Sequence, residues 1–474
     1  MKQDEKGAGK MSENDTETKG ESCFQDQAQR GAENSHPISR REALQKCGAL
    51  VGVAALGSCI GCKGKSTDPA DETDASLHGD GGADARVDAG PGTDSGPTVD
   101  ASNGDPDGGV DPMVADVIVV KNGTFEQNVA QALALMGGIT RYVNEDDVVI
   151  IKGNGQWPNH GYTHTGCIKA VIDAIFDAYP SFSGEVLICD NVQAYGSAGQ
   201  FGFDASPSHR NHNWDEHNWN ELAEFFHQAG RPVAAKRWYS AAADSNPDHD
   251  ISGPADGEGW IREFFEFHSL QAYLSYPVFE SPLTPGRMID PVNGVWEGGS
   301  SGGYTGRRVR VIQMPTLNYH GNYAGVTSAI KSTFGSTEII NGAYAQFRGA
   351  YNIHYAAFTN DSGAYAARCG ELVARHIQTF FSPVFYLTAA IWVGHNGRWS
   401  TPARADTVLG CLDPATLDYV ACRDVLAPLS TSHANQLDPT IDSLAGRQIE
   451  GCVNAGVGTM DENAFTLHVH DFAV

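Results

Sequence analysis

Val117-Ile118-Val119-Val120, Val148-Val149-Ile150-Ile151 and Val186-Leu187-Ile188 are three short, continuous apolar runs. Between them lie two segments of helical spacing, Phe125 to Met136 and Ile168 to Tyr179, the second with Thr165 as its expected N-cap. A strand apolar on both faces must be covered on both faces. Spaced by helices, such strands indicate a parallel or mixed sheet with helices above and below. The reading is an α/β fold. The same pattern predicts strands at 309–313, 383–391 and 405–411, and helices at 325–334, 364–379 and 414–426. The stretch 191–305 is richer in Gly, Pro, Asn and Trp and reads as an irregular insertion with only short helices.

The α/β pattern runs over 116–474, about 360 residues, enough for a large core. Ahead of it the composition changes. Residues 63–115 hold 12 acidic and three basic side chains, a net of −9 within the chain's −26. Asp, Gly, Ala, Ser, Thr and Pro dominate there. Too few large apolar groups are present to offset the entropy of ordering the backbone, so a disordered, extended linker is expected. Its Asp-Gly repeats lack the spacing of an EF-hand calcium loop. Residues 1–38 are polar and aperiodic and read as a disordered extension.

Between these two segments stands Ser39-Arg40-Arg41-Glu42-Ala43-Leu44, followed by the apolar run Cys47 to Ile60. It resembles a twin-arginine export signal, an address read by the export machinery. The apolar run is too short for a membrane span, which needs ~20 residues, and Gly48, Gly52 and Gly57 weaken it as a helix. Leu56-Gly57-Ser58-Cys59 resembles a lipobox, in which Cys59 would be acylated. Cys62 is a weaker second candidate, and an ordinary cleaved signal is the plain alternative. The expectation is an exported periplasmic or cell-envelope lipoprotein, held to the membrane by a lipid anchor. Twin-arginine passengers cross folded, often around a metal or cofactor.

Several segments of the folded part, taken in order, resemble the domain-of-unknown-function 362 family. They are Val148 to Asn154, similar to the family's strand ending in Lys-Pro-Asn; the helix start near Thr163 and Thr165; and Val186 to Asp190, where the family often ends a strand with Asp. The most specific block is Met314-Pro315-Thr316-Leu317-Asn318-Tyr319-His320, continuing through Gly325 to Lys331 and on to Phe334-Gly335. Asp413-Pro414-Ala415-Thr416-Leu417-Asp418 completes the set. The chain departs from the family pattern at Gly153 (Pro), Asn318 (Lys) and Ser332 (Asn). It also lacks the Asp expected around Leu387-Thr388-Ala389. Many relatives carry a ferredoxin-like cysteine cluster. This chain has no such run of cysteines, so no iron–sulfur cluster is expected.

Candidate chemistry follows from position. Lys152, Asn154, Asp190, His320, Lys331, Asp413 and Asp418 fall at expected strand ends or helix starts, the edge where open α/β sheets bind ligands. His320, Lys331 and Asp413 are the catalytic candidates, with His320 as general base or metal ligand. Lys152, Asn154, Asp190 and Asp418 are the ligand-binding candidates, with lysine suited to a small anion. The plain alternatives are that Asp190 and Asp413 cap turns or helices and that Lys331 closes a helix. His160-x₃-His164, His209-x₂-His212-x₄-His217 and His468-x-His470 have spacings that suit a divalent metal. Asn211 to Asn220, with Trp214 and Trp219 among the histidines, could form a ligand-facing lip. Cys167, Cys189, Cys369, Cys411, Cys422 and Cys452 are expected to form one or two disulfides in an oxidising compartment. Basic residues are sparse and scattered, which argues against nucleic acid. There is no phosphate-binding glycine loop and no nucleophile elbow. Two functional readings follow: a metal- or cofactor-dependent enzyme acting on a small anionic ligand, or a tethered binding module without chemistry.

Overall fold

The computed structural model describes residues 115–191, 201–238, 250–321, 324–338, 346–358, 364–397 and 400–474. The segment that resembles an export signal, Cys59, and the acidic stretch expected to be a linker lie outside them.

The strands follow the apolar runs. β1 (Ala115–Lys121), β2 (Val148–Gly153), β3 (Glu185–Asn191) and β4 (Val233–Trp238) come first. β5 (Gly259–Phe267), β6 (Leu270–Glu280), β7 (Met288–Asp290), β8 (Gly294–Glu297) and β9 (Gly303–Tyr304) follow. Next are β10 (Val309–Met314), β11 (Asn318–Gly321), β12 (Gly325–Thr327), β13 (Gln346–Phe347) and β14 (Ala350–Asn352). β15 (Phe385–Val393), β16 (Ala403–Cys411) and β17 (Phe465–Asp471) complete the described strands.

Eight strands form the main sheet in the order β17-β1-β16-β15-β10-β2-β3-β4. β16 runs antiparallel to its neighbours β1 and β15, and every other pairing is parallel. The fold is therefore α/β with a mixed sheet. One face is covered by the helices Phe125–Leu135, Thr165–Ala178 and Trp219–Gln228, which press Val129, Ile168, Ile172 and Phe226 against Val149, Ile151, Val186 and Ile188. On the other face Tyr365–Thr379, Pro414–Ala421 and Leu444–Asn454 pack Leu372, Leu417 and Ile449 over Val117, Val119 and Leu409.

The stretch 191–305 carries more order than composition suggests. Its described part supplies β4, a ten-residue helix (Trp219–Gln228) and most of a second, largely antiparallel sheet built on β6, to which β14 adds in parallel. Phe279, Ile289 and Val295 of that sheet cover Val148, Ile150, Leu187 and Cys189. Half of the second face is thus closed by strands instead of helices.

Two local expectations are corrected. His164, and not Thr165, caps the helix Thr165–Ala178: its Nδ1 accepts the Cys167 N–H at 3.3 Å, while Thr165 Oγ1 takes the Trp214 N–H at 3.0 Å. The helix expected at 325–334 starts late. Gly325 sits at φ +74°, a conformation that favours glycine, and Val326-Thr327 pair as a strand, leaving a short helix at Ala329–Ser332. The disulfide expectation is also overturned. All six cysteines of the described residues are free thiols and all are buried. They serve as small core hydrophobes.

Candidate functional site

Lys152 is the next-to-last residue of β2 and Asp190 the next-to-last of β3, one strand away. Both are buried, and Lys152 Nζ stands 2.9 Å from Asp190 Oδ1. The ammonium also donates to Gly153 O (2.7 Å), Ser332 O (2.5 Å) and Ser332 Oγ (3.0 Å). The other carboxylate oxygen accepts the Gly155 N–H at 2.6 Å. Burial pushes Lys152 below and Asp190 above its ordinary pKa, and each charge opposes the shift of the other. Gly335 closes the site: a Cβ there would stand 2.1 Å from Asp190 Oδ1 and 2.5 Å from Lys152 Nζ. The pair is solvated by the chain's own groups.

Asn154 is equally occupied. Its Oδ1 accepts the Thr316 N–H at 3.1 Å, and its backbone exchanges bonds with Thr163. This joins the end of β2 to the Met314–Thr316 turn. Asn318, where the resembled family has Lys, is buried. It donates to His160 O and Thr316 Oγ1 and accepts the Gly394 N–H at 2.6 Å.

Asp418 explains the late helix start. From inside the helix Pro414–Ala421 its carboxylate accepts the N–H groups of Ala329 (2.8 Å) and Ile330 (2.9 Å), the free donors of the next helix. Burial raises its pKa to about 7. Asp413 is the N-cap of its own helix, accepting the Thr416 N–H at 2.8 Å ahead of Pro414. Burial raises its pKa too. Both carboxylates therefore serve the backbone.

Lys331 and Ser332 share the short helix capped by Asp418. Lys331 Nζ lies 3.2 Å from Tyr365 Oη and over the rings of Phe334 and Tyr365. His354 packs edge-on to Phe334 at 5.5 Å. Lys152, Asp190, Lys331 and Asp418 thus gather about one helical turn. Asp413 caps the helix that carries Asp418, whereas His320 is on the β11–β12 hairpin, its Nδ1 2.8 Å from Thr327 Oγ1.

The histidine clusters separate. His160, His164 and His212 line a cavity of about 10 Å³ beside Trp392, room for about one water. His217 stacks on Trp214 at 5.0 Å, and Trp219 is fully buried against Phe203 and Tyr162, so it is core and not lip. His468 faces Asp116 at 3.4 Å. Among the described residues no three His, Cys, Asp or Glu side chains are grouped to hold a metal ion. The described groups therefore offer no ready-made set of ligands for a divalent metal. No helix of the described residues is long and apolar enough to cross a membrane.

A feature that the sequence reading missed lies at the opposite, N-terminal edge of the parallel strands. A cleft of about 550 Å³ is lined by Glu185, His227, Arg231, Thr284, Arg287 and Arg307, among others. Arg287 is neutralised by Glu185 (2.5 Å) and Glu297 (2.7 Å). Arg231 donates to Pro180 O at 3.3 Å and lies 4.7 Å over the Phe176 ring. Neither Arg231 nor Arg307 belongs to an ion pair of the described residues. Arginines at 231, 287 and 307 are far apart in sequence, so no motif announced them.

No protein-family model, no curated protein and no solved structure matches this chain.

Proposed function

We propose that this chain is an exported, membrane-tethered binding protein for a small anionic ligand, its folded part a divergent relative of the domain-of-unknown-function 362 type. The observation that carries the binding reading is the contrast in how polar groups are used. Asp190, Asp413 and Asp418 are already engaged by Lys152 or by backbone N–H groups, so their hydrogen-bonding capacity serves the fold. The arginine-lined cleft is open, and its guanidinium groups suit carboxylate or phosphate. In a chain of net charge −26 most of the surface repels an anion, so two arginines without carboxylate partners are a focused exception. The helix Trp219–Gln228 ends near this cleft, and its C-terminal dipole offsets about half a charge. That is less than the two guanidinium charges.

The Arg-Arg signal at 40–41 and the Cys59 lipobox support export and tethering. Titration of inorganic phosphate and of citrate into the full chain, followed by calorimetry, tests the binding. Saturable binding that falls at least tenfold in Arg231→Gln/Arg307→Gln and persists in Lys331→Gln is the expected result. Elemental analysis tests the competing enzyme reading: a stoichiometric metal lost on His320→Ala would overturn the proposal.

A further inference from the structure

The main sheet has two unlike edges. β4 carries Lys236 and Arg237, side chains that oppose addition of another strand. β17 reads Phe465-Thr466-Leu467-His468-Val469-His470-Asp471, with no Pro, Lys or Arg. It exposes Leu467 and Val469, the latter 56% exposed.

The direction of its backbone groups follows from one bond. Phe472 N–H donates to Lys121 O, and Lys121 stands opposite Asp471 in the parallel register with β1. The even-numbered residues of β17 therefore turn their N–H and C=O toward β1. Phe465, Leu467, Val469 and Asp471 turn theirs outward, and the side chains of Leu467 and Val469 share the face on which Phe465 packs.

We propose that β17 pairs antiparallel with β17 of a second copy of this chain, about a two-fold axis at His468. Only residues with outward backbone groups can form the hydrogen-bonded pairs. Centring on His468 satisfies this for Leu467, which meets Val469 of the second copy, and sets Phe465 opposite Asp471, whose C=O also accepts the Val474 N–H at 3.4 Å. The same register brings the exposed Leu467 and Val469 of both copies into one apolar patch, so backbone pairing and side-chain burial agree. The contact is self-complementary, as a two-fold interface requires. The chain's own linker is the poorer occupant, because residues 63–114 are rich in Asp, Gly and Pro, which disfavour strands.

At the axis the two His468 residues form a non-hydrogen-bonded pair, with Cα atoms ~4.5 Å apart, a spacing that a disulfide spans. The test uses the full chain with Cys23, Cys47, Cys59 and Cys62 changed to serine. Mild oxidation of His468→Cys in that background is expected to give a covalent dimer, and Thr466→Cys, which faces His470 of the second copy, is not. Light scattering should find the unoxidised parent dimeric and Val469→Lys monomeric, with an unchanged circular dichroism melt. A parent that stays monomeric at high micromolar concentration overturns the proposal. So does equal cross-linking by Thr466→Cys, or a dimer that survives Val469→Lys.

Discussion

β3 has two ends that treat charge in opposite ways. At its C-terminal end Asp190 meets Lys152 in a buried site closed by Ser332, Gly335 and the Gly155 N–H. At its N-terminal end Glu185 holds Arg287 beside a cleft of about 550 Å³. An ion removed from water costs several kcal/mol, and the cost is offset only when every remaining hydrogen-bonding site is filled. The closed end meets most of that condition with the chain's own atoms: Lys152 Nζ has three oxygen acceptors besides Asp190, and Asp190 Oδ2 takes the Gly155 N–H, while Asp190 Oδ1 has the ion pair alone. The open end leaves Arg231 and Arg307 facing water, where a bound anion can displace it. At the strand edge that position rules favour, the polar groups engage one another, and the edge those rules discount is the one with space.

The largest expected effect tests the closed end. Lys152→Met leaves Asp190 buried without its cation and should cost about 3–5 kcal/mol in chemical denaturation. Lys152→Met/Asp190→Leu should recover most of that loss. A double variant as unstable as the single would show that shape, and not charge, governs this end.

Asp418 supplies a pH signature. Its pKa is raised from 3.8 to about 7 in the folded state, so the folded protein binds the extra proton between those values. The group's contribution is greatest below about pH 4, declines as pH rises through that window and levels off above about 7. Asp418→Asn should remove this component, and the difference in unfolding free energy between variant and parent should change across pH 4–7 with that sign. A pH-independent difference would mean that the capping bonds hold the carboxylate ionised throughout.

Asp413→Ala removes one helix cap and should cost about 1–2 kcal/mol, while Asp413→Asn retains most of the cap. Both are measured by thermal or urea unfolding. A loss of ligand binding with unchanged stability would instead return Asp413 to a functional role.

The smallest effect belongs to the open end. Arg307→Gln should alter stability by less than about 0.5 kcal/mol while weakening phosphate binding. A large stability loss would make the cleft another structural end and erase the comparison.

Much of the fold was legible because it rests on local pattern. The apolar runs at Val117, Val148 and Val186 are strands, and the helices from Phe125 and near 364 begin within a few residues of expectation. Asp413 before Pro414 carried its own capping signal, now seen in the Thr416 bond. The helix misread at 325–334 depends on Asp418, about 90 residues away, whose carboxylate decides where its first turn begins. The expected disulfides failed because compartment and cysteine count say nothing about where thiols stand, and each lies in apolar core.

The sequence by itself determined the α/β class, the acidic composition of residues 63–115, the signal-like pattern at 39–60 and the residues that stand at strand ends. These depend on periodicity and composition, which neighbouring residues carry. Tertiary structure alone decided that Lys152 and Asp190 neutralise one another, that Asp418 starts a distant helix, and that Arg231, Arg287 and Arg307 meet in one cleft. Those outcomes depend on which strands become neighbours, and burial then sets whether a charge is spent on the chain or left for a ligand.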